Sequence, residues 1–290
     1  MWFIFAFTSA LLSATAAIFE KKALFKINAL HFSFLLALAN LLLSIPFFIY
    51  ADFQSISLQT YAVIAFKSFL GSISFLLVMN GIKRLELSSA LPLLTITPGL
   101  VAVFAWIVLG EKLGSVEILG ILFLLIGTYM LQVGKPSNLL TPFYFGMKNK
   151  AYLYILGAVL IFTFTSILDK WLLSDYRVAP ESYLPLQHLF MAGFFSVYMI
   201  FSKTTSRAVV DGFKISWKWI LIVAILTIAY RYTHIWAIKT GAVALALSVK
   251  RTSVFFAAII GGTIFKEKNI GYKALAIAVM IAGAIFVILK

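Results

Sequence analysis

No cysteine occurs anywhere in the 290 residues, which excludes disulfide staples, thiolate metal sites and cysteine redox chemistry together. Charge is also scarce: 12% of residues are charged and 62% are hydrophobic, with a mean hydropathy of +1.03. A water-soluble domain of this length needs more polar surface than that. Acids are the scarcest charged groups, ten against 24 Lys and Arg. The net charge of +14 would point to nucleic acid in a soluble protein. Here basic membrane connections explain it, and no nucleic-acid partner is expected. The chain also lacks a Walker-type loop ending in Lys-Ser/Thr, a His-Glu-x-x-His, an aspartate-rich diphosphate motif and a Gly-x-Ser-x-Gly. No cofactor, no metal and no enzymatic activity are therefore expected.

What the chain does contain is a series of apolar runs of about twenty residues, the length that crosses a ~30 Å hydrocarbon core. The expected class is an all-α integral membrane protein embedded in a lipid bilayer. Spans are expected near 2–24, 30–50, 60–80, 88–109, 115–133, 151–173, 183–201, 217–238, 242–265 and 271–289. The first, MWFIFAFTSALLSATAAIF, lacks a basic leader region and a small-x-small cleavage site, so it reads as a permanent span. The longest connection, GKPSNLLTPFYFGMKNK, divides the chain into 1–133, a connection at 134–150, and 151–290.

The two halves resemble each other. At an offset of 156, GIKRLELSSAL (81–91) lies over AIKTGAVALAL (237–247), Glu111-Lys112 over Glu267-Lys268, and Gly127 over Gly283. Near the start of each half the offset is 149, where Glu20-Lys21 lies over Asp169-Lys170. Five spans per copy is an odd number, so the copies are expected to sit upside down relative to each other. Inverted repeats are the architecture of many secondary transporters, whose substrate site lies at the repeat interface near mid-membrane.

A helix ending in Leu-Gly-Glu-Lys (Leu109 to Lys112), its counterpart Phe-Lys-Glu-Lys (Phe265 to Lys268) and ten spans in two halves resemble the drug/metabolite transporter superfamily, EamA type, over essentially the whole chain. The resemblance implies a carrier of small organic solutes that works by alternating access without ATP hydrolysis. It also implies cytoplasmic termini. The charge distribution points the other way: the odd-numbered connections hold 15 Lys and Arg, against five in the even-numbered connections and tails. Following the charges, the odd connections are expected in the cytoplasm of a bacterial-type cell membrane.

Four bases fall inside spans: Lys67, Arg231, Lys250 and Arg251, with His234 one turn from Arg231. A charge at the bilayer centre costs at least ~2.5–3.5 kcal/mol, so such residues face the bundle interior or a wet cavity. Lys67 lies close enough to its span start to snorkel. Lys250 is about eight residues into its helix, hence ~12 Å deep at 1.5 Å per residue. Internal ion pairing is the other ordinary explanation, but only Glu20 and Asp169 fall within the register of spans, each followed by a lysine. Two acids cannot neutralise all of these bases, and a surplus buried cation suits an anion that comes and goes.

Ser248, Arg251 and Thr252 form one polar stripe, and Thr227, Arg231 and His234 form another, with Tyr230 beside it. Arg grips carboxylate or phosphate with a planar fork, whereas Lys acts as a point charge. The Lys250-Arg251 pair also resembles the basic pair of plastid sugar-phosphate/phosphate exchangers in the same superfamily, which implies that it grips the anionic group. Thr95 stands where the second half has Arg251, an asymmetry that suits a substrate with one charged and one neutral end. Pro92 and Pro98 bracket Thr95 and allow a bend there.

The expected binding set is Lys250, Arg251, Arg231, His234, Tyr230, Ser248, Thr252, Thr95 and Lys67. Glu20, Asp169, Lys21 and Lys170 are expected to gate the cavity, to carry a coupled proton, or to form helix-end salt bridges. The expected cargo is a small anionic metabolite, exchanged against H+ or a counter-substrate. The alternatives are an exporter of amino acids or cationic amphiphiles, which needs an acid in the cavity, and a membrane-embedded enzyme acting on a lipid headgroup.

Overall fold

Short polar residues set several helix starts. Asn28 accepts the His31 N–H at 2.7 Å and Ser57 accepts the Thr60 N–H at 3.2 Å, each occupying a donor that a helix end leaves open. Pro180 opens a later helix, with Glu181 in its first turn, where a missing N–H and a negative charge are both favourable. The computed structural model describes residues 1–85, 93–94, 96–133, 150–202, 206–264, 275–276, 279–280, 282–283 and 286. These form α1 (Trp2–Leu24), α2 (Ala29–Tyr50), α3 (Leu58–Arg84), α4 (Ile96–Leu109), α5 (Ser115–Val133), α6 (Lys150–Ser174), α7 (Pro180–Phe201), α8 (Ser206–Thr240), α9 (Val243–Arg251) and α10 (Ser253–Ile264). No strand occurs among the described residues.

The helices turn large apolar side chains outward and bury their polar ones within an otherwise apolar interior. α1 buries Ser9, Glu20 and Lys21 while Ile4 and Leu11 are exposed. α3 buries Thr60, Lys67, Ser68, Ser72 and Ser74 while Phe66, Phe69 and Ile73 face outward. In water that pattern would be self-defeating; in lipid, polar side chains turn inward to find partners. Among the described residues α1, α2, α3, α6, α7 and α8 are long and apolar enough to cross a bilayer. The chain is a multi-pass membrane protein.

The most extensive pairings are α1 with α8 and α3 with α6, so the first helix of each half lies along the third helix of the other. α2 packs on α7, and the pairs α2–α8 and α3–α7 follow the same exchange. α4 lies on α6, and α9 and α10 lie on α1. The aligned glycines are close-contact points. A methyl group at Gly127 would run into Met280 and the Ala276 carbonyl, and one at Gly283 into backbone atoms of Gly120 and Leu124. Here α5 meets the C-terminal segment at backbone distance, the contact small residues permit in membranes.

Two expected spans differ in outline. The run 242–265 is not one helix: it breaks at Thr252, directly after Lys250-Arg251. The Thr252 hydroxyl donates to the Val249 carbonyl at 2.7 Å, and its N–H reaches the same oxygen at 3.1 Å. Local bonding of this kind competes with the helical ladder. The run 217–238 lies within a 35-residue helix, α8. At 1.5 Å per residue α8 is ~50 Å long, beyond a ~30 Å core, and its first turns carry the exposed Arg207, Asp211 and Lys214. The start of the 88–109 span, the Phe265–Lys268 motif and most of the 271–289 span lie outside the described residues.

Candidate substrate cavity

Each helix brings inward what the bilayer would reject. Lys67 is 2% exposed on α3, Asp169 8% exposed on α6 and Glu20 6% exposed on α1. With Arg231 and His234 from α8 and Lys250 and Arg251 from α9, they line one cavity of about 160 Å³. Tyr230, Ser13, Thr165, Ser166 and Phe162 share its wall.

One part of this wall is electrically closed. Lys67 Nζ lies 2.6 Å from Asp169 Oδ1, and the Tyr183 hydroxyl of α7 donates to the same oxygen. The ammonium also sits over the Tyr183 ring, 5.3 Å from its centre. A buried carboxylate with a cation and a hydroxyl donor on it is a satisfied unit.

The part around Lys250 and Arg251 is open. Lys250 faces the Tyr230 ring at 5.1 Å, and Arg251 faces the Phe162 ring at 6.0 Å. Neighbours on a helix diverge by about 100°, so the pair grips two walls of the cavity instead of pointing together. Arg251 Nη2 reaches Thr97 Oγ1 at 3.4 Å, a long bond, and Nε is buried without a partner among the described residues. Within that same set neither Arg231, Lys250, Arg251 nor Glu20 forms an ion pair. The Ser9 hydroxyl ties α1 to the Tyr230 carbonyl at 2.8 Å, holding the α8 wall in place.

Not every expected residue comes to the cavity. Ser248 turns back to the Ala244 carbonyl at 2.8 Å, and Thr252 sits at the helix break. Thr95 lies outside the described residues; the threonine that meets Arg251 is Thr97. Lys21 and Lys170 close helix ends. Lys21 Nζ donates to the carbonyls of Ile82 at 2.5 Å and Leu85 at 2.7 Å, at the end of α3. Lys170 Nζ donates to those of Ile238 at 3.0 Å and Gly241 at 2.7 Å, at the end of α8. Each lysine thus meets the carbonyls a helix C-terminus leaves unbonded, and the partners stand at the offsets of 149 and 156 that relate the halves.

Glu111 completes the second cluster. It accepts the Val243 N–H at 3.1 Å, at the start of α9, and lies 3.8 Å from Lys170 Nζ. Burial pushes its carboxyl up from the ordinary 4.5, while Lys170 and the Val243 N–H pull against that rise. Three contacts of the charged residues were beyond reach of the sequence: Tyr183 on Asp169, Phe162 under Arg251, and Thr97 beside Arg251. Hydroxyls and rings are common in these helices, and only the packing selects these. Among the described residues no group of three or more His, Asp or Glu could hold a metal ion.

The model of the EamA-like transporter family matches residues 1–133 and again 149–289. No curated protein matches the chain. A solved structure described only as "Crystal structure of protein" superposes with a TM-score of 0.72 at 17% identity, over 98% of this chain and 95% of that one. At that identity the likeness is one of fold.

Proposed function

From a chain that belongs to the EamA-like transporter family, hence a membrane transporter of small solutes, we propose a secondary carrier of a small carboxylate- or phosphate-bearing metabolite. In this reading ten helices form two inverted five-helix repeats that alternate access to the cavity. The double family match, the exchanged helix pairings and the paired lysine contacts support the repeat.

The observation that carries the anion is the charge balance of the wall. Four bases and two acids line the cavity, and Asp169 is committed to Lys67. Arg231, Lys250 and Arg251 then face one carboxylate, Glu20, in a setting where uncompensated charge is expensive. An anion between Lys250 and Arg251 removes that penalty, with Arg231 and His234 supporting it. Lys250 holds its position against Tyr230 through a cation–π contact. Glu20 supplies the proton or counter-charge that lets the cavity empty and reset. Glu111 and Lys170 form a latch between the α4–α5 connection and the end of α8, which opens when that side admits solvent.

The test is thermal unfolding of the purified protein with phosphorylated, carboxylated, zwitterionic and cationic metabolites, beside a Lys250→Ala/Arg251→Ala double variant. Stabilisation by anions that disappears in the variant supports the reading. Stabilisation by cations that survives in the variant but is lost in Glu20→Gln favours the second reading, an exporter of amino acids or cationic amphiphiles. Glu20 in the cavity wall, without an ion-pair partner among the described residues, is the feature that favours it. Product formed from a lipid headgroup in detergent, with no second compartment, would instead indicate an enzyme.

A further inference from the structure

Beside the cation-lined cavity lies a second one of about 20 Å³, lined by Ser33 and Asn40 of α2, His188 of α7, and Thr227, Tyr230 and Arg231 of α8. Phe75, Tyr230 and Arg231 belong to the walls of both cavities, so the two are neighbours that share Arg231 as part of their walls. Its polar atoms are orphaned. Ser33 Oγ, Asn40 Oδ1 and both ring nitrogens of His188 are buried with no hydrogen-bond partner among the described residues. Ser33 is 0%, His188 2% and Asn40 5% exposed, so bulk water does not serve them. Buried polar groups are almost always bonded, and each exception needs an occupant or a role.

Size and chemistry limit that occupant. A pocket needs roughly 10–15 Å³ to hold one water-sized group, so this one takes a single heavy atom and not a carboxylate or a ring. A neutral imidazole offers one donor and one acceptor, and Asn40 Oδ1 and Ser33 Oγ add acceptors. A hydroxyl both donates and accepts. A metal cation is disfavoured by the Arg231 guanidinium in the same wall.

Resting on the anion-carrier reading, we propose that this side pocket receives one hydroxyl of the substrate, so that the carrier selects small hydroxylated anions over their deoxy counterparts. The charged group lies at Lys250 and Arg251, and the hydroxyl reaches past Arg231 to Asn40, Ser33 and His188. The site thereby reads one charged end and one neutral end. Discrimination is strong for a physical reason. A deoxy anion leaves the buried acceptors unpaired, and sites built to bond a hydroxyl reject analogues lacking it far better than apolar pockets reject a missing methylene.

The test compares two matched probe pairs, each differing by one terminal hydroxyl, 4-hydroxybutyrate against butyrate and 3-hydroxypropyl phosphate against propyl phosphate, by thermal-shift titration of the full chain. Whichever pair binds, the hydroxylated member is expected to bind at least ~10-fold tighter. In Asn40→Leu and His188→Phe the ratio within the pair falls to near one. Ser33→Ala, which removes one orphaned oxygen with little change in bulk, lowers the ratio by several-fold and serves where the larger replacements do not fold. Equal binding of both members by the wild type, or a ratio unchanged in a folded variant, overturns the side-pocket assignment and leaves the anion reading standing. No response to either pair or to any other anion overturns both.

Discussion

Two clusters of buried charge on the wall of one cavity behave in opposite ways. At Asp169, Lys67 and Tyr183 both bond to the carboxylate, and the cluster joins α3, α6 and α7. Around Lys250 and Arg251 the contacts are aromatic faces and one long hydroxyl bond, and no described carboxylate pairs with either base. Both sets stand where the bilayer penalises charge. The first has compensated that penalty within the fold; in the proposed reading the second leaves it for an anion. In that reading the difference separates a structural ion pair from a binding site more sharply than burial does, because both are buried.

The comparison breaks most visibly at Asp169. Asp169→Asn strands Lys67 as an uncompensated buried cation, and the expected loss is about 3–5 kcal/mol, read as a large fall in Tm in detergent. Replacing both partners, Lys67→Met with Asp169→Leu, is expected to recover most of that stability, because apolar groups of similar volume substitute well for a buried pair. Failure of the double variant to recover would mean that Asp169 serves more than Lys67.

At the open cluster the sign reverses. Lys250→Met/Arg251→Met is expected to leave unliganded stability unchanged or raised, while the anion-dependent gain is lost, about 2.7 kcal/mol at 100 times Kd. Thermal unfolding with and without ligand reads both numbers in one experiment. A marked loss of stability without ligand would place these bases in the structural class with Lys67. Between these extremes, Tyr183→Phe removes one charge-assisted bond and is expected to lower stability by roughly 1.5–3 kcal/mol, without changing which ligands stabilise the protein.

The smallest effect is expected at the latch. The Glu111 carboxyl is raised above 4.5 by burial, so the folded chain holds that proton more tightly than the unfolded chain does. Its contribution to stability is present below pH 4.5 and is lost as pH rises through the raised value. Glu111→Gln is expected to flatten that stretch of the Tm-against-pH curve. It should also speed labelling of a cysteine placed in the cavity from the latch side. An unaltered labelling rate would make the Glu111–Lys170 contact a helix-end tie and nothing more.

Much of this molecule was legible in the sequence, because the bilayer imposes a simple rule on it. Long apolar runs span the membrane, and a charge inside such a run faces inward. That rule picked out Lys67, Glu20, Asp169, Arg231, His234, Lys250 and Arg251, and all seven meet at one cavity. It could not rank them. Snorkelling was a fair alternative for Lys67, and only the Asp169 contact shows where its charge goes. Nor does helical spacing separate Ser248, which bonds to its own helix, from Ser9, which ties α1 to α8. A hydroxyl in a membrane helix always has a backbone carbonyl within reach.

The sequence by itself determined that this is a helical membrane protein built of two similar halves, and which charged residues turn inward. Hydropathy and charge cost act along a chain and are readable along it. Only the tertiary structure decided which bases are neutralised and that Asn40, Ser33 and His188 gather in one small pocket. Those outcomes depend on distances between residues far apart in sequence, and a hydrogen bond or ion pair that fails by an ångström is not made.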